Sequence, residues 1–283
     1  MIEIDDTVLD DLRSGFSLPP QPEILRQLQK ELSQPEPELF KVAQIISADI
    51  ATSAAVLKVI NSPAYGMART VTDIRQAVMF LGMNCITQVV TGYLLKKAFN
   101  QDACCISLER FWDNATDISK VAMLIGTYMK SKVPIENLQL LGLFHDAGIP
   151  AMAMRYANYH EVLTRAEERT EHSLEYYEQQ HFVTTHTVVG FFLASSWHLP
   201  KNICQMILRH HDPEFLRGTI PQIDKQTFAA LKLAENLVCE AKRFRSSADW
   251  FAFRELVLLE LDLQEDEYND IKEDAEEIFI VGG

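Results

Sequence analysis

Apolar residues recur every three or four positions through most of this chain and almost nowhere alternate. Phe111, Asn114, Ile118, Val121 and Ile125 fall on one side of a helix, and so do His186, Val189, Gly190, Leu193 and Trp197. A strand shows one face to a core only if its apolar residues repeat every two positions, so these segments cannot build a sheet. The chain is therefore expected to be all-α, a multi-helix bundle. Of its 283 residues 47% are hydrophobic, enough for a substantial core.

Prolines and caps divide the pattern. Pro22 opens a helix that runs to about Leu32. Pro35 and Pro37 open EPELFKVAQIISADI, where Leu39, Val42, Ile46 and Ile50 repeat at helical spacing, and a further helix covers about 51–60. That helix stops at NSPAYG, where Asn61 is expected to cap a turn and Tyr65 to fill the core between the two halves. Asp73 caps the next helix and Gly82 breaks it. The periodicity lapses over 100–107, which places a subdomain boundary there: residues 1–105 form an N-terminal helical subdomain and 106–283 a second one with an acidic C-terminal helix.

In the second half, Pro134 opens the helix expected to carry His145 and Asp146. A polar helix follows over about 156–169, then helices over 184–197, 201–211 and 224–243. From Leu261 to Phe279, nine acidic residues and one lysine read as the solvated face of a helix.

Charge and cysteine narrow the function classes. A net charge of −14 disfavours nucleic acid and anionic membranes as partners. The five cysteines form no CxxC pair, so neither a disulfide framework nor a zinc knuckle is expected, and a reducing cytoplasm fits. The acidic, amphipathic start MIEIDDTVLDDL lacks the pattern of a signal peptide, and no apolar run reads as long enough to span a bilayer.

The chemistry gathers in the second half. His145 follows Leu138 and Leu141 by seven and four residues, so it points inward, with Asp146 beside it in GLFHDAG. His186 shares an apolar face, His210 and His211 close an apolar helix, and Glu235 lies on the stripe of Phe228, Leu231 and Val238. An unpaired carboxylate on such a stripe costs several kcal/mol, so it needs a cation, a metal or hydrogen bonds. Imidazoles and carboxylates on inward faces of neighbouring helices are how helical bundles assemble metal sites. His145, Asp146, His186, His210, His211 and Glu235 are the candidate metal ligands, with iron, manganese or zinc as the ion. No catalytic residue is assigned.

Three stretches in order resemble the HDOD domain, a bacterial relative of the HD-domain phosphohydrolases. They are DIATSAAVLKVINSPAYG followed by DIRQAVMFLG, then FWDNATDISKVA leading to LLGLFHDAG, and then HTVVGFFLASSWHLPKNICQMILRHH. The resemblance implies an HD-like helical domain with an additional N-terminal helical subdomain. It also implies a cytoplasmic regulatory module of bacterial signal transduction that works by binding a signalling protein, with a nucleotide or cyclic dinucleotide as a further possible ligand. HD phosphohydrolases hold metal through a histidine, a His-Asp doublet and a late aspartate. Here Asn114 stands at the first position and Glu235 at the last, and Ile149 replaces the lysine of HDxGK. An amide oxygen is a poor substitute for imidazole, glutamate reaches one methylene further, and isoleucine brings no charge to a phosphoryl oxygen. These changes favour a non-enzymatic, degenerate HD domain with no resident cofactor. The alternative is a metal-dependent phosphohydrolase acting on a nucleotide or cyclic dinucleotide. No GYP motif of the related cyclic-dinucleotide phosphodiesterases is present.

Overall fold

The computed structural model describes residues 16, 18–131, 133–168 and 172–281. The acidic amphipathic start lies outside them. Among the described residues there is no strand, and helices follow one another throughout. The first four are α1 (Glu23–Leu32), α2 (Leu39–Ser47), α3 (Ile50–Ile60) and α4 (Ile74–Ala98). Then come α5 (Leu108–Tyr128), α6 (Ile135–Phe144), α7 (Gly148–Arg155), α8 (Tyr159–Glu168), α9 (Leu174–His181) and α10 (His186–Ser196). The chain closes with α11 (Lys201–Arg209), α12 (Glu214–Arg217), α13 (Gln222–Arg243), α14 (Trp250–Leu261) and α15 (Glu265–Val281).

Local chemistry sets many of these limits. Asp49 accepts from the backbone N–H groups of Ala51 and Thr52, so it starts α3 and ends α2 two residues earlier. This corrects the single stripe expected through Ile50: Val42 and Ile46 are buried, but Leu39 is 45% and Ile50 84% exposed. Asp73 caps α4 through Gln76 N–H, and Gly82, at φ 80°, kinks that helix where a side chain would be strained. Asn61 clamps the NSPAYG loop, accepting from Val71 N–H and donating to Val71 O, and the Tyr65 hydroxyl donates to Gln139 on α6.

Helix α4 also corrects the reading that no apolar run reaches a membrane-spanning length. Its 25 residues pass by length and composition, but half of the apolar stretch is buried within the fold. It packs on α2, α3 and α6, and one continuous core runs from Leu25 to Ala275 across both halves of the chain. The acidic tail is one helix, α15, whose Tyr268, Ile271 and Ala275 dock against α5 and α13 while most of its carboxylates face outward.

Helices α7 and α10 cross backbone to backbone at Gly148 and Gly190. A Cβ on Gly148 would lie 1.9 Å from the carbonyl oxygen of His186 and 2.8 Å from Gly190 N. Backbone cannot swing aside as a side chain does. Gly148→Ala is expected to lower stability by about 2–3 kcal/mol, the upper range for overpacking, seen as a lower denaturant midpoint at unchanged slope. An unchanged midpoint would contradict this contact.

Candidate metal centre

The crossing of α7 and α10 puts the His-Asp doublet beside the histidines of the third stretch. The doublet is not on a helix body, as expected from sequence: His145 is the C-cap of α6, and Asp146 stands in the turn before α7. His186 is the first residue of α10, while His210 and His211 follow the last turn of α11. The polar helix expected from residue 156 begins at Tyr159. Helix α9, which the periodicity did not disclose, inserts before α10.

Asp146 is the hub. Its Oδ2 is 3.1 Å from His145 Nε2, and its Oδ1 is 3.2 Å from His210 Nε2 and 3.4 Å from His186 Nε2. His186 Nε2 also lies 3.3 Å from His210 Nε2 and 3.2 Å from His211 Nε2. One ligand atom each from Asp146, His186, His210 and His211 falls within 4.8 Å of the others. His145 adjoins this group. Glu235 stands behind it, 3.5 Å from His145 Nε2, with its other oxygen 2.6 Å from Lys232 Nζ. Asn114 is half-buried on α5.

Every one of the four rings is oriented by its second nitrogen. His145 Nδ1 donates to Gly142 O at 2.9 Å, and His210 Nδ1 donates to Ile207 O at 2.8 Å. His186 Nδ1 donates to Glu178 at 2.7 Å, and His211 Nδ1 to Asp249 at 2.8 Å. An N–H on Nδ1 leaves the lone pair of a neutral ring on Nε2, so the acceptor atoms all turn toward Asp146. This is the outer-shell pattern that fixes histidine ligands around metals.

Protons alone do not satisfy the cluster. Burial opposes charge on His186, but Glu178 and Asp146 override it and raise its pKa to about 9. Burial and the neighbouring His210 push His211 down to about 3. A proton on His186 Nε2 serves one of its three short contacts, and buried His145 Nε2, 3.1 Å from Asp146 Oδ2, makes no well-aligned hydrogen bond. A divalent cation among the Nε2 atoms and Asp146 satisfies them together, so the residues present fit a transition metal that accepts imidazole and carboxylate.

Three supporting residues escaped the sequence reading. Glu178, fully buried on α9, accepts from His186 N–H at 2.9 Å, from its Nδ1 and from the Tyr159 hydroxyl. Lys232 is fully buried and lies between Glu235 and Asp249 Oδ2, 3.0 Å from the latter. Its own signal was present, because it sits one turn after Phe228 and three residues before Glu235 on the same stripe. Asp249, just before α14, gave no local signal.

The sequence pattern of the HDOD domain matches residues 18–213. A protein of unknown role from Treponema pallidum is 25% identical over 227 residues, 76% of this chain and 42% of that protein. The cyclic di-GMP phosphodiesterase CdgJ of Vibrio cholerae is 26% identical over 129 residues, 44% of this chain and 28% of that protein. The chain thus spans less than half the length of these curated relatives. A crystal structure of an HDOD domain protein of unknown function from Geobacter sulfurreducens shares the fold, with a TM-score of 0.63 and 24% identity over 95% of this chain and 96% of that one.

Proposed function

The chain belongs to the HDOD domain family, and on that premise we propose that it is a non-enzymatic signalling module that holds a divalent transition metal in its His/Asp cluster and acts by binding a protein partner. One observation carries the reading: four protein donors, from Asp146, His186, His210 and His211, lie within 4.8 Å of one another, with His145 beside them. On zinc, four protein donors fill a tetrahedral site and leave no position for the water that hydrolysis needs. The bound ion supplies positive charge that ties the turn after α6 to α10 and α11. Lys232 is held by Glu235 and Asp249, and Ile149 is buried and apolar, so neither offers a cation to a phosphoryl group. Iron, manganese and zinc all fit the donor set.

The outer face of the N-terminal helices supports a binding role. α2 packs on α4, and Arg75 lies 4.8 Å from the Phe40 ring centroid. Met79, one turn further along α4, and Leu39, Phe40 and Phe80 are all exposed. Exposed apolar side chains on two packed helices suit contact with another protein.

The test is a turnover assay on metal-loaded protein with a phosphomonoester, a linear phosphodiester and cyclic di-GMP. No hydrolysis above the metal-only control is expected. Turnover at an ordinary enzymatic rate, on the order of 1 s⁻¹ or faster, and lost in Asp146→Asn, would establish the phosphohydrolase instead.

Glu178 gives a graded prediction. In Glu178→Gln a neutral amide oxygen replaces the carboxylate oxygen that accepts from both the His186 backbone and its ring, so the charge that orients the ring and raises its basicity is lost. Metal affinity, measured by competition with a chromophoric chelator, is expected to fall about 10- to 100-fold, as for other outer-shell changes. An unchanged affinity would separate His186 from the metal.

A further inference from the structure

A second site lies on the other side of α6. Between α3, α4, α5 and α6 is a cavity of about 390 Å³, within the size range of small-molecule sites. Lys58, Lys96 and Lys120 line it, and no carboxylate does. This is notable in a chain of net charge −14. Residues 18–106 carry eight of its 26 lysines and arginines and only seven of its 40 carboxylates.

The lining combines charge with apolar and polar groups. Val59, Val89, Met123 and Leu143 supply apolar wall, and Tyr93 supplies an aromatic ring. Lys97 covers that ring at 4.7 Å from its centroid. Ser62 Oγ, also on the wall, is buried with no hydrogen-bond partner. Lys96 donates to Thr116 Oγ1, yet neither it nor Lys58 makes an ion pair among the described residues. Burial lowers the pKa of Lys96, and Asp113 and Asp117 offset this only in part. Lys120 is paired with Asp117 at 3.2 Å, and Asp117 is shared with Lys242 at 2.6 Å. Part-buried Lys96 and exposed Lys58 therefore flank a cavity that offers neither of them a carboxylate, and the burial of Lys96 makes an anion there favourable.

We propose that this cavity binds a nucleotide, its phosphate on Lys58 and Lys96, its sugar or base within reach of Ser62 Oγ, and its base against Tyr93 and the apolar wall. The phosphate accounts for the unpaired lysines and the ring for an aromatic and apolar wall that a bare phosphate does not use. Helix α6 contributes Leu143 to the cavity and ends at His145, so a ligand here rests against the helix that positions the candidate metal centre.

The test is calorimetric titration of the full chain, with and without EDTA, using GMP, cyclic di-GMP and the unphosphorylated nucleoside guanosine. At least one nucleotide is expected to bind in the micromolar range, insensitive to EDTA and weakened by salt, with guanosine silent. Lys58→Ala and Lys96→Met are each expected to weaken binding at least tenfold, with circular dichroism reporting the fold. Lys58 is exposed, so its variant tests the site even if Lys96→Met misfolds. No binding of either nucleotide at millimolar concentration would overturn the proposal. So would binding that is unchanged in Lys58→Ala, or binding abolished by EDTA, which would place the ligand at the metal centre.

Discussion

Asp146→Ala empties the cluster while the protein stays folded. Asp146 touches three of the four imidazoles, and a neutral methyl in its place leaves their Nε2 atoms without the charge that gathers them around a cation. Losing an outer-shell partner of a metal ligand typically costs 10–100-fold in affinity, and loss of the hub carboxylate is expected to cost more, at least about 100-fold. Metal retained through gel filtration should drop from about one equivalent to background. The fold survives because the Asp146 side chain is 24% exposed and water can fill the space. The helices around it are held by the crossing at Gly148 and Gly190 and by apolar packing. Undiminished metal content in Asp146→Ala would remove the doublet from the site.

The second large effect belongs to Lys232. Its ammonium is fully buried, 2.6 Å from Glu235, 3.0 Å from Asp249 and 4.7 Å from the Phe253 ring centroid. Burial works against its charge, but Asp249 and Glu235 together hold its pKa above the ordinary lysine value. In Lys232→Met, two inward carboxylates lose their cation. Breaking a buried pair from one side costs about 3–5 kcal/mol, whereas removing both partners costs far less. At roughly 2–4 °C per kcal/mol for a chain somewhat shorter than this one, the melting temperature should fall by about 6–20 °C. Lys232→Met combined with Glu235→Gln should recover at least about 1 kcal/mol, a coupling typical of residues in direct contact. A single variant melting within a degree of the parent would show that Glu235 and Asp249 find other partners.

What the sequence disclosed and what it hid divide by range. Pro22, Asp73, Gly82 and Pro134 act on their own neighbours, so they mark helix limits without any knowledge of the fold. The exposed Ile50 shows how such reading errs: one carboxylate, Asp49, restarts the helix and rotates the next stripe away. At the site, the inward direction of His145 and His186 was legible because each lies on an apolar face. Their partners were not. Glu178 meets His186 from a helix too short and polar to show a period, and Asp249 meets His211 from 38 residues away. Lys232 lies between these cases. Its place on the stripe of Glu235 was visible, and the need of that carboxylate for a cation pointed to it.

The helix ends are proposed to assemble a working metal site although the resemblance to HD phosphohydrolases puts Asn114 and Glu235 where that family has a histidine and an aspartate. Elemental analysis of protein purified without chelators or nickel resin tests it most directly. About one equivalent of iron, manganese or zinc per chain is expected, with background levels in Asp146→Ala. Parent protein that holds none of these metals, even after incubation with each ion, would contradict it and leave GLFHDAG as a packing motif.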